Sequence, residues 1–172
     1  MTTPSLLERM AAAGLRPLQL AGRQLLPVVQ GGMGVGISAH RLAGSVAALG
    51  AWGTIASVDL RRHHADLMAR SEGLRDGDEK KKAVIEQANQ EALAREIRQA
   101  REIAGGRGVV AVNVMRAVSD YAASVRTSLE EGADALVVGA GLPLDLPELA
   151  QDHPDTALVP ILSDARGVAL LW

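Results

Sequence analysis

The sequence predicts an α/β protein made of repeated βα units on a parallel sheet. Short apolar runs alternate with helix-like segments from Pro27 onward, serines stand where a run gives way to a helix, and glycines stand where helices end. Strands are predicted at Val28–Gln30, Trp52–Ala56, Val109–Val114, Ala135–Val138 and Ala157–Leu162. Helices are predicted between them, at Ser38–Leu49, Val84–Ala104, Ser119–Glu131 and Leu146–Gln151, with a last one starting near Ser163. Five βα units result, in one domain over 1–172 with an N-terminal extension over 1–26 and one long βα loop over 57–82.

Each element has a local reason. The first run follows Pro27 and ends in "VVQGGMGVGIS", after which Ser38 can cap a helix by accepting from an orphan backbone N–H. Gly50 suits the left-handed residue that ends that helix, and Trp52–Ala56 follows as an apolar strand. In the helix from Val84, Leu93, Ile97, Ala100 and Ala104 recur on the face that covers a sheet. Glu91 and Arg95 can pair at i,i+4 on another face, and the charges of this helix are expected to lie in solvent. Gly105 ends it, Ser119 and Gly132 bound the next, and Asp145 with Glu148 fits a reciprocal capping box. Ser163 is the expected cap of the last helix. "LGAWGTIAS" and "EGADALVVGAG" each run from a helix end through Gly-Ala into a strand, as one βα junction used twice.

Composition excludes several classes of function. The formal net charge is −2, which argues against nucleic acid or an anionic membrane as partner, since such binding runs on clustered basic charge. The one basic run, Lys80 to Lys82, sits beside Asp76, Asp78 and Glu79 and reads as a solvated turn. There is no cysteine, hence no disulfide, thiolate metal site or cysteine nucleophile. Glu8 and Arg9 interrupt what would be the apolar part of a signal peptide, and no stretch approaches the roughly 18 apolar residues of a membrane span. A cytoplasmic location is the expectation.

The long loop carries Asp59, Arg61, Arg62, His63, His64 and Asp66, which either line a substrate entrance or hold an insertion in water. His63 and His64 are adjacent and so point in different directions, which leaves them poorly placed to share a metal. No metal is expected.

Four glycines within 31–36 leave two readings open. Gly34, Gly36 and Ala39 fit the dinucleotide fingerprint G-x-G-x-x-G/A, with Asp59 at the spacing of a ribose-binding acid, which would make the chain a nicotinamide-dependent dehydrogenase. Gly31 and Gly32 precede that fingerprint and lengthen the turn, which suits a flat ring lying against backbone instead. The later strand ends, with Asn113, Gly139, Gly141 and Ser163, describe a barrel mouth of small or amide-bearing residues.

"PVVQGGMGVGIS", "LAGSVAALGAWGTIASVDLRRHH", "NQEALAREIRQAREIAGGRGVVAVNVM", "EEGADALVVGAGLPLDLPELA" and "VPILSDARGVALL", in that order, resemble the nitronate monooxygenase (2-nitropropane dioxygenase-like) family from Pro27 onward. The resemblance implies a TIM barrel, (β/α)8, of which about five units are present, with FMN at its C-terminal mouth. It implies that Gly31, Gly32 and Met33 lie against the isoalloxazine, that Asn113 hydrogen-bonds the flavin, that Gly139 and Gly141 leave room beside it, and that Ser163 contributes from the fifth strand's end. Bland roles compete: turn geometry for Gly139 and Gly141, a helix-capping amide for Asn113 and a core position for Met33. The implied reaction oxidises alkyl nitronates, or a related small substrate, with dioxygen. Related barrels include flavin-dependent enoyl-acyl-carrier-protein reductases.

The chain departs from that pattern in two ways. Several family members carry a catalytic histidine near the active site, but "VVGAGLPLDLP" has none at the fourth strand's end, and His153 lies before the fifth strand, on the opposite face. No catalytic residue is assigned on sequence grounds. A barrel of this type also needs eight units and about 250 residues, with phosphate held after strands seven and eight. The expectation is therefore a truncated chain that binds FMN weakly and self-associates, or a non-catalytic fragment.

Overall fold

The computed structural model describes residues 5–20, 22–75 and 77–171. Asp76 and Trp172 lie outside them. The elements run α1 (Leu6–Ala12), β1 (Leu18–Leu20), β2 (Arg23–Leu25), α2 (His40–Ala48), β3 (Trp52–Ala56), a 3-10 turn (Leu60–His63), α3 (Ala65–Ala69), α4 (Glu79–Ala104), β4 (Val109–Met115), α5 (Tyr121–Glu130), β5 (Ala135–Gly139), α6 (Leu146–Leu149), β6 (Ala157–Pro160) and α7 (Ala165–Leu171).

The central sheet is parallel, in the order β3-β4-β5-β6, so each strand lies beside its neighbour in sequence. The expected first strand is reduced to a bridge, Val29 against Trp52. Its backbone still pairs, with Gln30 N donating to Trp52 O at 2.9 Å and Trp52 N to Val28 O at 3.1 Å. Beyond that point the Gln30 carboxamide takes over, accepting from Thr54 N at 3.0 Å and donating to Thr54 O at 3.1 Å. A side chain here does what a continuing strand would have done.

Among the described residues, the helices packed in the main core, α2, α4, α5 and α6, cover one face. Ile55, Val110, Val112, Val114, Leu136 and Val138 pack there against Ala43 and Ala47 of α2, Leu93, Ile97 and Ala100 of α4, and Val125 and Leu129 of α5. On the other face Trp52, Val109, Ala111 and Ala135 meet Leu25, with Leu18 and Leu20 beside them, so the β1-β2 hairpin covers the N-terminal end of the sheet. The C-terminal end of that helix-free face has no such cover among the described residues.

The repeat at Gly50-Ala51 and Gly132-Ala133 has a physical basis. Gly50 N bonds Ala47 O and Ala51 N bonds Val46 O, while Gly132 N bonds Leu129 O and Ala133 N bonds Ser128 O. Both are the paired hydrogen bonds of a Schellman helix end, with the glycine left-handed at φ 83° and 73°. The same helix stop feeds β3 and β5.

Several local expectations are corrected. The N-terminal extension carries elements that had no sequence assignment, among them α1, closed by a capping box in which Ser5 N donates to Glu8 Oε2 at 2.7 Å and Glu8 N to Ser5 Oγ at 3.3 Å. The Ser5 backbone N–H, and after it the Ser5 side chain, hold the Glu8 carboxyl below its ordinary value. α4 begins at Glu79 rather than Val84, capped by Asp78, so the lysine run lies in a helix, with Lys81 Nζ donating to Leu74 O at 3.0 Å. None of the serine caps forms as expected. Ser38 Oγ closes a turn by accepting from Met33 N at 2.8 Å, and Ser119 Oγ donates to Glu86 at 2.8 Å. Near Ser163, it is Asp164 Oδ1 that accepts, from Gly167 N at 2.8 Å. Asp145 does not close a box either: its carboxylate faces Arg116 Nε at 3.3 Å and accepts from the Tyr121 hydroxyl at 3.4 Å.

Candidate functional site

The C-terminal ends of the strands gather most of the expected residues. Gly31, Gly32 and Met33 follow the bridge strand and are exposed, and a Cβ at Gly31 would meet nothing within 4 Å. A Cβ at Gly32 would lie 2.7 Å from Asn113 Cβ and 3.0 Å from its Oδ1, so backbone and amide touch only because residue 32 has no side chain. Met33, 41% exposed, is not a core residue.

Asn113 projects from β4, in register with Ala56 of β3 and Val137 of β5. Its Nδ2 donates to Val137 O at 3.0 Å, which orients the amide across the sheet rather than capping α5. Its Oδ1 makes no hydrogen bond to any described residue. This leaves one acceptor aimed at space beside Gly32.

Gly139 and Gly141 sit one strand further on. Gly139 ends β5 in extended backbone and touches Ile161, 3.1 Å from where its Cβ would be, so it is a packing position and not a turn. Gly141 has φ +135° and faces the stem of Arg116 at 3.1 Å, a conformation that needs glycine. Gly141 and Ser163 line a cleft of about 580 Å³ with Ala140, Ile161 and Arg166. The structure thus joins the expected residues in two groups, Gly31 to Met33 with Asn113, and Gly141 with Ser163, on one rim.

The 57–82 loop does not hang in water. Leu60 and Leu67 are fully buried, and Arg61 nearly so, against α4. Asp59 faces Arg61 Nε at 3.1 Å and also pairs with Arg62. Ser57, Val58 and Asp59 do line a cleft of about 510 Å³, with Glu86, Met115 and Asp120 opposite. At the outer edge Arg95 takes Asp66 in a two-pronged pair at 3.0 and 2.8 Å, which holds that carboxyl below its ordinary value, and Arg70 first and Arg95 second, each at 2.6 Å, do the same for Glu91.

A buried cluster escaped the sequence reading. Glu96, on α4 and fully buried, contradicts the expectation that the charges of that helix lie in solvent. Its Oε2 accepts from His40 N at 2.7 Å and lies 2.7 Å from His40 Nδ1, while its Oε1 lies 3.1 Å from His64 Nε2. One carboxylate therefore ties the start of α2, just after the glycine-rich loop, to the long loop. The only signal in sequence was Glu96 falling three positions after Leu93 and one before Ile97, on the face already marked as apolar. Among the described residues no group of three or more His, Asp or Glu has the geometry to hold a metal ion.

In the 510 Å³ cleft, partial burial pushes the Asp120 carboxyl above its ordinary value; its own backbone N–H opposes this and Glu86's charge adds to it. A raised folded pKa means that the charged form is penalised on folding, so the associated stability is present below the unfolded value and is lost as pH rises through the folded one. Asp120→Asn is expected to raise the Tm slightly at pH 7 and to leave it unchanged at pH 3, read by paired melting curves. Tyr121 beside it is buried, and that burial pushes its phenol up to about 12, so a neutral ring supports Arg116 at 4.5 Å.

No protein-family model matches this sequence, and no curated protein does. Among solved structures, FabK from Thermotoga maritima is similar to it with a TM-score of 0.58 and 17% sequence identity, over 84% of this chain and 36% of that one. The fold is a partial TIM-type barrel. The chain spans about a third of the length of that barrel structure. The sheet's order, without the reversal that creates a dinucleotide crevice, fits this barrel and counts against the nicotinamide-fold reading. The engagement of Asp59 with two arginines counts against it again. The helix-free face is then the barrel interior, and the candidate residues stand on its C-terminal rim, where βα loops carry the chemistry of such folds. Among the described residues, no helix is long and apolar enough to cross a membrane.

Proposed function

We propose that this chain carries part of the flavin site of an FMN-dependent oxidoreductase of nitronate monooxygenase type, acting on alkyl nitronates or a related small substrate with dioxygen. The observation that carries this reading is the contact of Gly32 with Asn113, with open space at Gly31 and a spare Asn113 Oδ1 beside it. These residues fit a flat, amide-like ring: glycine backbone lets it approach, and a side-chain oxygen without a partner can accept from a ring N–H.

When bound, FMN would supply a two-electron acceptor that the side chains of this protein cannot provide. Asn113 orients the ring through an amide already fixed by Val137. Gly31, Gly32 and Met33 form the wall it lies against, and Gly139, Gly141 and Ser163 form the rim beyond. Gly139 has no side chain, so the wall between Met115 and Ile161 stays low there.

The test is an FMN titration of the full-length protein followed by flavin fluorescence, with FAD as comparison. Asn113→Ala is expected to weaken FMN about tenfold, the loss of one hydrogen bond worth about 1.4 kcal/mol. Nitrite release and oxygen uptake with an alkyl nitronate then test the reaction. Unchanged FMN affinity in Asn113→Ala would remove the assignment of this rim.

A second reading, a flavin-dependent enoyl-acyl-carrier-protein reductase, draws on the fold likeness to FabK. Oxidation of a reduced nicotinamide that depends on an enoyl thioester, without nitronate turnover, would favour it.

A further inference from the structure

Helix α2 opens without a cap of its own. Ala39 stands at the capping position and has no side-chain acceptor to offer, and the hydroxyl of Ser38 before it is engaged with Met33. The orphan N–H of His40 is taken instead by Glu96 Oε2, 2.7 Å away on α4 and 56 positions along the chain. A carboxylate from a neighbouring helix therefore fills the place of the missing cap.

That substitution leaves Ser38 free to close the glycine-rich loop. Ser38 is fully buried, its Oγ accepts from Met33 N at 2.8 Å, and its own N donates to Met33 O at 3.0 Å. Its carbonyl accepts from Ala56 N, at the end of β3, at 3.1 Å. The segment after β3 presses on the same loop. A Cβ at Gly34 would lie 2.6 Å from Val58 Cγ1, and one at Gly36, with φ +72°, would lie 2.1 Å from His63 Nε2. His64, next in the chain, is the residue whose Nε2 faces Glu96 Oε1 at 3.1 Å. The two oxygens of one buried carboxylate thus reach the glycine-rich loop by two routes, one through the start of α2 and one through the loop that covers Gly34 and Gly36.

We propose that Glu96 is a positioning residue for the wall made by Gly31, Gly32 and Met33: by capping α2 it keeps the Ser38 hydroxyl on Met33, and by holding His64 it keeps the long loop on Gly34 and Gly36. This rests on the flavin reading above, which gives that wall its purpose. Without the carboxylate, the Ser38 hydroxyl, just ahead of the helix, becomes the alternative acceptor for the N–H groups at the start of α2, so that helix and loop compete for one oxygen. Glu96 and Ser38 are two parts of one device, and removing either releases Met33.

The experiment measures FMN affinity by flavin fluorescence and, without FMN, amide hydrogen exchange at Met33. It compares the full-length parent with Glu96→Ala, Glu96→Gln, Ser38→Ala, the double variant of Ser38→Ala with Glu96→Ala, and Val125→Ala, all well below their melting temperatures. Val125 is fully buried on α5, outside both loops, and its variant reports lost stability alone. Glu96→Ala and Ser38→Ala are each expected to weaken FMN and to speed Met33 exchange about tenfold, and the double variant to lose about tenfold as well, where independent effects would multiply to about a hundredfold. Glu96→Gln, whose carbonyl oxygen can still accept from His40 N, should stay within about threefold of the parent, and Val125→Ala within about twofold. Losses in Glu96→Ala no larger than in Val125→Ala make Glu96 structural only and overturn the proposal. A loss of about a hundredfold in the double variant overturns the shared device. Met33 exchange unchanged in Glu96→Ala, with FMN bound by the parent, overturns this proposal while the flavin reading stands. Failure of the parent to bind FMN removes the flavin reading and this proposal with it.

Discussion

Glu96→Ala is expected to lower the thermal midpoint by about 10 °C at pH 7. The carboxylate is fully buried, and it receives the His40 backbone N–H and faces two imidazole nitrogens at 2.7 and 3.1 Å. Removing it strands all three groups, and breaking a buried charged cluster in this way costs about 3–5 kcal/mol. A domain of this size loses about 2–4 °C for each kcal/mol. Glu96→Gln separates shape from charge. It keeps one oxygen for His40 but must turn an NH2 toward His64, so about half the loss should return. The loop should respond first, because His64 is its tie to α4; limited proteolysis is expected to cut within 57–75 in Glu96→Ala before any other region. A midpoint shift under about 3 °C would mean that the cluster holds little.

Gly53→Ala is expected to do at least as much damage through sterics alone. Gly53 lies in β3 under α2, and a Cβ there would stand 2.0 Å from Ala43 O and 2.6 Å from Ala43 C. Both are backbone atoms, so no rotamer change relieves the clash, and α2 must lift off the sheet. Overpacking against movable side chains costs about 1–3 kcal/mol, and rigid backbone places this site at or above that range. The variant should melt about 10 °C lower or fail to accumulate as folded protein. Gly31→Ala is the control, since a Cβ there meets nothing, and its Tm should match the parent's. If Gly53→Ala melted with the parent, the close approach of α2 to β3 would be wrong.

The strands from Trp52 onward were legible because each is a short apolar run bounded by its own punctuation. β3 matches its expected limits, and β4 and β5 each extend one residue further. The helix-ending glycines were legible for the same reason: a left-handed residue is a local requirement, and Gly50, Gly105 and Gly132 all meet it. The serine caps failed because a hydroxyl near a helix start has competing partners. Ser38 found Met33, and Ser119 found Glu86, 33 residues away. The hairpin over Leu18–Leu25 was missed because its three-residue strands are too short to show alternation.

In the candidate site, the glycines and Asn113 could be named from sequence, but what they touch could not. That Gly32 presses on Asn113, 81 positions away, follows from sheet register and loop path together. Glu96 and its two histidines were read apart, Glu96 with the solvent charges of its helix and His64 with His63 in the long loop, while His40 was not singled out, because their partnership spans 32 and 56 residues.

By itself the sequence determined the βα alternation, the helix stops, the buried face of α4 and the glycine density after Gln30, all of which are properties of neighbouring residues and their backbone preferences. Only the tertiary structure decided which charges are buried, which of the adjacent histidines is committed and which faces the glycine loop. Those outcomes depend on which elements desolvate one another, and desolvation is settled by packing between segments distant in the chain.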